Sequence, residues 1–238
     1  MKEEKYLQSL GYKSIAGIDE AGRGPLAGPV FAGAAILPIE MEYKWLDIIR
    51  DSKQLTSLKR VMALDELRKF SAIATGQSSP EEIDNYGIVY AVNLAIKRAL
   101  VNLKGEADYL LLDAFKLPGT DLPQKHIIRG DASCISIGAA SIAAKVERDT
   151  LMEDLHERFP QYGFNSNKGY GTKSHMNAIK TFGPCSIHRF SFKPVREAAE
   201  QLNVFLDRTQ MLSDKNEMLN ASLNTQNQIN LPGFSSAK

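Results

Sequence analysis

IAGIDEAGRGPLAGPV, residues 15–30, is the stretch on which the fold turns. Its first half is a short apolar run that closes on two carboxylates, Asp19 and Glu20. Its second half is rich in Gly and Pro, carries one cation, Arg23, and leads into another apolar run over residues 30–37. Short apolar runs bounded by Gly and Pro predict buried strands. Residues 14–19 and 30–37 are therefore read as two strands joined by a loop, with an acidic pair at the end of the first.

Outward from this stretch, the same alternation continues. Residues 56–70 place Leu58, Val61, Met62, Leu64 and Leu67 at helical spacing behind Thr56, a plausible N-cap. Residues 71–76 predict a strand, 79–103 one or two helices, 108–113 (DYLLLD) a buried strand ending on Asp113, and 126–129 another short strand. After Gly130 and Asp131 a long helix is expected over 133–159. Its first half is built from Gly138, Ala139, Ala140, Ser141, Ala143 and Ala144, small enough to let the helix backbone approach a sheet closely. Two more helices are expected at 172–181 and 194–212. The class is α/β.

Composition narrows the function classes. The chain has 238 residues, 29 Lys+Arg against 28 Asp+Glu and 43% hydrophobic residues, which suits one ordinary globular domain with a sizeable core. The longest uncharged apolar stretch, residues 25–39, is shorter than a bilayer span and is broken by Pro25, Pro29 and Pro38. The first residues mix both charge signs and build no secretory apolar region. Two cysteines, Cys134 and Cys185, lie far apart without CxxC spacing. The expectation is a cytoplasmic monomer with no membrane association.

The near-neutral total hides an asymmetry. Residues 1–157 carry 19 basic and 23 acidic side chains, whereas 158–196 carry seven basic and none acidic, interleaved with seven aromatics. Such a run can neutralise phosphates and offer flat faces to sugars or bases; the alternative is a solvated face whose aromatics belong to the core.

Carboxylates at the ends of buried runs call for partners. GIDEAGRG ends its strand on Asp19 and Glu20, LLLDA on Asp113, and IIRGDAS carries Asp131. In an open α/β sheet the carboxyl ends of strands form a ligand crevice. Four oxygen donors converging there suit hard cations, Mg²⁺ or Mn²⁺, and two such ions can activate a water and stabilise the leaving oxygen of a phosphodiester. Each acid also has a simpler reading: Asp131 caps a helix, Asp113 starts a turn, and Asp19 and Glu20, adjacent on an extended chain, point to opposite faces. Gly22-Arg23-Gly24 lacks the GK[ST] of a nucleotide loop. It suits either a loop whose backbone meets a ligand or a tight turn.

Taken together, residues 15–30, DSKQL (51–55), the strand ending in Asp113, GDASCISIGAASIAAKVERD (130–149), KGYGTKSH (168–175) and IHRFSFKPV (187–195) closely resemble type 2 ribonuclease H, ribonuclease HII. The resemblance covers about residues 13–196 and implies a ribonuclease H-like fold, a central mixed sheet flanked by helices. It implies endonucleolytic cleavage of RNA in RNA-DNA hybrids and incision 5' to single ribonucleotides in duplex DNA, leaving 3'-hydroxyl and 5'-phosphate ends, in replication and ribonucleotide excision repair. It makes Asp19, Glu20, Asp113 and Asp131 the catalytic and metal-binding carboxylates, holding two Mn²⁺ or Mg²⁺ ions with substrate. Gly22, Arg23 and Gly24 match the loop that recognises the ribose 2'-hydroxyl, and Tyr170 the ring that stacks on the deoxyribose at the RNA-DNA junction. Ser52 and Lys53 match a phosphate-contacting segment, and Lys168 is carried as a further substrate contact. Lys145, Arg148 and Asp149 are read as structural or peripheral and His188 as structural or near the site. Gly138 stands where many members have Ala, a change expected only to loosen packing. Competing readings are a related two-metal nuclease of the same superfold, such as a junction resolvase, and a hybrid-binding protein without catalysis.

The resulting division is a catalytic domain over 1–196, a helical appendage over 197–212 and a polar tail over 213–238 with five Asn, four Ser and two Gln. Within the tail, Gln228, Ile229, Leu231 and Phe234 form a small apolar patch. It resembles the Gln-led peptides that dock on the replication sliding clamp; the alternatives are a chance cluster or a segment that folds back on the core.

Overall fold

The structure is a computed structural model and describes residues 1–38, 49, 55–103 and 107–201. Ser52, Lys53 and the proposed clamp-binding residues lie outside them. A five-stranded mixed sheet runs in the order β3-β2-β1-β4-β5. Its strands are β1 (Ile15–Ala21), β2 (Val30–Ile36), β3 (Ala72–Ser78), β4 (Tyr109–Asp113) and β5 (Gln124–Ile127). Strand β1 pairs antiparallel with β2 and parallel with β4, so one end of the sheet collects the carboxyl ends of β1, β4 and β5.

The helices are α1 (Lys2–Ser9), α2 (Ser57–Arg68), α3 (Pro80–Tyr86), α4 (Ile88–Asn102), α5 (Gly130–Ser133), α6 (Ile135–Arg158), α7 (Phe164–Asn167), α8 (Lys173–Phe182) and α9 (Lys193–Gln201). Helix α4 covers one sheet face, packing Ala91, Ala95 and Ala99 with Ile18, Ala32 and Leu112. Helix α6 crosses the other. A Cβ at Gly17 would lie 2.1 Å from the Ser136 carbonyl carbon, and one at Gly33 2.1 Å from Ala140 O. Glycines on the strands and alanines on the helix therefore act together to bring α6 almost onto the sheet.

The long helix departs from expectation at its start. Residues 130–133 form their own turn, α5, Cys134 is extended, and α6 begins at Ile135. The break is filled by Glu4 of α1, whose buried Oε1 accepts the Ser136 N–H at 2.9 Å, the Ser136 hydroxyl at 2.9 Å and the Cys134 thiol at 3.1 Å. These hydrogen bonds hold its carboxyl below the usual range despite burial, and an acid there also meets the positive end of α6. Nothing near Glu4 in sequence foretells this.

Other boundaries shift for local reasons. Strand β5 spans 124–127, not 126–129, because Arg129 adopts a left-handed φ of 55°. The 79–103 region divides into two helices at Gly87, φ 80°, after a Ser79/Glu82 capping box. Residues 158–198 build a third core, in which Tyr162, Phe164, Ile179, Val195 and Ala198 pack on Leu26, Ala27, Met152 and Leu155. Helix α9 runs across position 196 with Ala198 buried, so packing continues past the domain boundary drawn from the sequence.

Candidate active site

The register Ile18↔Leu112 between parallel β1 and β4 puts the next residues, Asp19 and Asp113, side by side at the carboxyl edge. Asp19 is 7% exposed and Asp131 4%. The Gly130 N–H donates to Asp113 Oδ1 at 2.8 Å, tying the turn that carries Asp131 to the end of β4. Asp131 sits inside α5 and does not cap the long helix. Glu20, the next residue on β1, is near enough for its charge to act on Asp19 and for that of Asp113 to act on it, and accepts from Arg23 Nη1 at 3.2 Å.

The carboxylates repel one another. Burial pushes Asp19 up to about 7, and the charges of Glu20 and Asp113 add to the shift against the Ser141 hydroxyl and the Glu20 N–H, which favour the anion. Burial and Asp113 raise Glu20 as well, against Arg23. Among the described residues no three His, Cys, Asp or Glu side chains are drawn together tightly enough to hold a metal ion. The acids share one sheet end while Glu20, Asp19 and Asp113 each spend an oxygen on a local donor. An all-oxygen donor set under mutual repulsion fits hard divalent cations, which would relieve the repulsion on binding.

Beside the acids lies the 22–29 loop, and two buried arginines grip its carbonyls from within. Arg189, 0% exposed, donates to Gly28 O at 2.9 Å, Arg23 O at 2.9 Å and Gly22 O at 2.6 Å. Arg148, 1% exposed, donates to Pro29 O at 3.1 Å, Ala27 O at 3.2 Å and Lys168 O at 3.0 Å. Burial, with Arg148 close by, pulls Arg189 down to about 9, still charged at neutral pH. Gly22 is required twice over: its φ is 94°, and a Cβ would strike Arg148 Nε at 2.1 Å. A Cβ on Gly24 would meet only Tyr170 Cε1, at 3.9 Å. Tyr170, 45% exposed, thus stands beside the Gly22-Arg23-Gly24 loop, with room at Gly24 for a Cβ in ordinary contact with its ring.

The sheet order, the parallel pair ending in Asp19 and Asp113, and this loop agree with the sequence profile of ribonuclease HII, which matches residues 16–195. The chain belongs to the ribonuclease HII family. Ribonuclease HII from Desulfitobacterium hafniense is 49% identical over 198 residues, covering 83% of this chain and 75% of that one. In the PCNA:RNase HII complex from Archaeoglobus fulgidus, a chain 25% identical superposes with a TM-score of 0.65, over 77% of this chain and 96% of that one. Bst-RNase HIII in complex with Mn²⁺ shares the fold at 19% identity and a TM-score of 0.61, over 81% of this chain and 71% of that one. As a ribonuclease HII the chain is a hydrolase, an endoribonuclease of RNA-DNA hybrids.

Several expectations for single residues change. Lys168 Nζ donates to Glu153 Oε1 at 2.6 Å and to Asn165 O at 2.7 Å, with its side chain 12% exposed, so its charge is already committed and it is poorly placed to meet a phosphate. Arg148 is structural and not peripheral, holding loop carbonyls from within, whereas Arg189 is missed as a site-building group and read only as part of a basic run. The available signal was a cation set among apolar residues, as in IHRFSF, which demands acceptors if buried. Lys145 and Asp149 form a part-buried i,i+4 pair at 2.8 Å, in keeping with a structural reading. Gly138 does more than loosen packing. A Cβ there would come within 2.7 Å of Ile49 Cγ2 and 3.0 Å of Asp131 O, so glycine admits the backbone that carries Asp131.

Proposed function

We propose that this ribonuclease HII cleaves through two divalent ions, Mg²⁺ or Mn²⁺, held by Asp19, Glu20, Asp113 and Asp131, and that it incises 5' to single ribonucleotides in duplex DNA, leaving 3'-hydroxyl and 5'-phosphate ends. The observation that carries the reading is the placement of Asp19 beside Asp113 at one sheet edge, with Gly22-Arg23-Gly24 and Tyr170 side by side next to it. The ions would supply an activated water and charge stabilisation at the leaving oxygen. The chain's own groups do the selecting. With its carbonyls drawn inward by Arg189, the Gly22-Arg23-Gly24 loop is held rigid for a 2'-hydroxyl, and the Tyr170 ring offers a face to the neighbouring sugar.

A junction resolvase would need no such sugar-reading loop, and a pure binder gains nothing from acids facing phosphates. The deciding experiment compares a duplex carrying one ribonucleotide with its all-DNA twin in Mg²⁺, Mn²⁺ and EDTA. Metal-dependent incision of the first alone is the expected result; cleavage of both, or of neither, overturns the assignment.

The sliding clamp is the proposed partner of the tail, through Gln228, Ile229, Leu231 and Phe234. The Archaeoglobus complex supports a clamp-associated role for a relative, and the tail supplies a glutamine followed by three apolar side chains. Saturable binding of a peptide spanning residues 224–238 to a clamp, lost when Gln228 and Leu231 are replaced by Ala, is the test.

A further inference from the structure

His175 and His188 are buried at 0% and 1% exposure, and the reaction itself gives them no task. Their nitrogens meet directly, Nε2 to Nε2, at 3.0 Å. Outside the pair, His188 Nδ1 receives the Cys185 N–H at 2.9 Å and lies 3.2 Å from the Cys185 thiol, which burial keeps protonated, and His175 Nδ1 lies 2.9 Å from the Tyr170 carbonyl oxygen. The rings of Tyr162 and Phe164 pack against both imidazoles.

These contacts allow one arrangement of protons. The Cys185 amide can only donate, so His188 Nδ1 accepts, and neutral His188 carries its proton on Nε2. That proton is donated to His175 Nε2, so His175 carries its own on Nδ1 and donates it to Tyr170 O. Any extra proton sets donor against donor at one of the two junctions. Burial lowers both pKa values, His188 to about 3, and so keeps the pair neutral.

The far end of the relay is anchored in the same segment that holds the sugar-reading loop. Ile187 O accepts from Gly28 N at 2.8 Å, the Arg189 N–H donates to Leu26 O at 2.9 Å, and the Arg189 guanidinium grips Gly22 and Arg23. Residues 187–189 thus touch the loop on one side and, through His188 and His175, the Tyr170 backbone on the other. We propose that the His175–His188 pair is a positioning device for sugar discrimination, fixing the Tyr170 ring at a set distance from the Gly22-Arg23-Gly24 loop. The inference rests on the reading that Tyr170 senses the sugar at the RNA-DNA junction.

The test measures kcat and KM on two duplexes, one with a single ribonucleotide and one a uniform RNA-DNA hybrid. Their kcat/KM ratio reports junction reading and is insensitive to a general loss of folded enzyme. His175→Leu removes one of the two donors to Tyr170 O, which keeps the Thr172 N–H at 2.7 Å, and leaves the His188 Nε2–H unmet; it should lower the ratio roughly tenfold, the scale of one unmet buried hydrogen bond. His175→Asn, with an amide donor near the Nδ1 position, should recover it to within about threefold. In the intact wild-type enzyme, nitrogen NMR should show His175 as the neutral Nδ1–H form and His188 as the neutral Nε2–H form, which needs no variant to fold. An unchanged ratio in His175→Leu, beside a lowered ratio in Tyr170→Ala, overturns the relay and spares the Tyr170 reading. An unchanged ratio in Tyr170→Ala overturns both. Charged or tautomerically averaged imidazoles at neutral pH also overturn the relay.

Discussion

At the residue scale, the site combines acids that repel with two buried arginines, Arg148 and Arg189, that donate to backbone carbonyls. Asp19→Asn or Asp113→Asn removes a charge from the proposed ion-binding set while leaving the nucleic-acid surface intact. Each should lower the cleavage rate by at least ~10³ with hybrid affinity little changed, as single-turnover assays and binding titrations would show. Near-normal turnover in either variant would remove these acids from the chemistry. Arg189→Gln probes the other half of the design. The shorter amide cannot reach Gly22 O, Arg23 O and Gly28 O together, so buried carbonyls lose partners at about 1–3 kcal/mol each. Chemical denaturation should show that loss. Stability within about 0.5 kcal/mol of wild type would mean the loop holds itself.

At the element scale, the decisive joint is between α1 and α6. Glu4 bridges the extended Cys134 and the first turn of α6, and its folded pKa lies below its unfolded one. Its contribution to stability is therefore present above the unfolded value and is lost as pH falls through the folded value. Glu4→Gln should destabilise the protein by about 1–2 kcal/mol near pH 7. The gap to wild type should close as pH falls through the folded value, because Glu4 then becomes neutral too. Melting curves of both proteins from pH 3 to 7 check this, and a gap that widens in acid would reverse the sign and refute the role. The capping box at Ser79 is simpler: Ser79→Ala should cost about 1 kcal/mol at any pH where Glu82 stays ionised.

At the scale of the whole molecule, the third core ties the C-terminal third of the described chain to the active-site loop. Val195 and Ala198 pack in the same cluster as Leu26 and Ala27, so α9 supports the site. Removing residues 213–238 should leave cleavage of a short hybrid within about twofold, since the proposed clamp tether would act only through local concentration. The same truncation should abolish clamp-stimulated cleavage on long DNA. A large loss on the short hybrid would place the tail in the active unit and not on a tether.

Much of this molecule follows from local sequence alone. Apolar runs bounded by Gly and Pro mark β1, β2 and β4, helical spacing behind Thr56 marks α2, and the small residues of 138–144 foretell a helix lying close on a sheet. Asp19, Glu20 and Asp113 stand out because a charge at the end of a buried run is costly wherever it sits. These signals are legible because they depend on neighbours along the chain. What only the tertiary structure decided depends on partners far apart: Glu4 in the break before α6, Arg189 on carbonyls 161 to 167 residues away, and His175 against His188. It also decided that Lys168 is spent on Glu153 and that Gly138 makes room for Asp131. A buried polar group is satisfied by whichever donor or acceptor the fold brings to it, and no spacing along the chain records that choice.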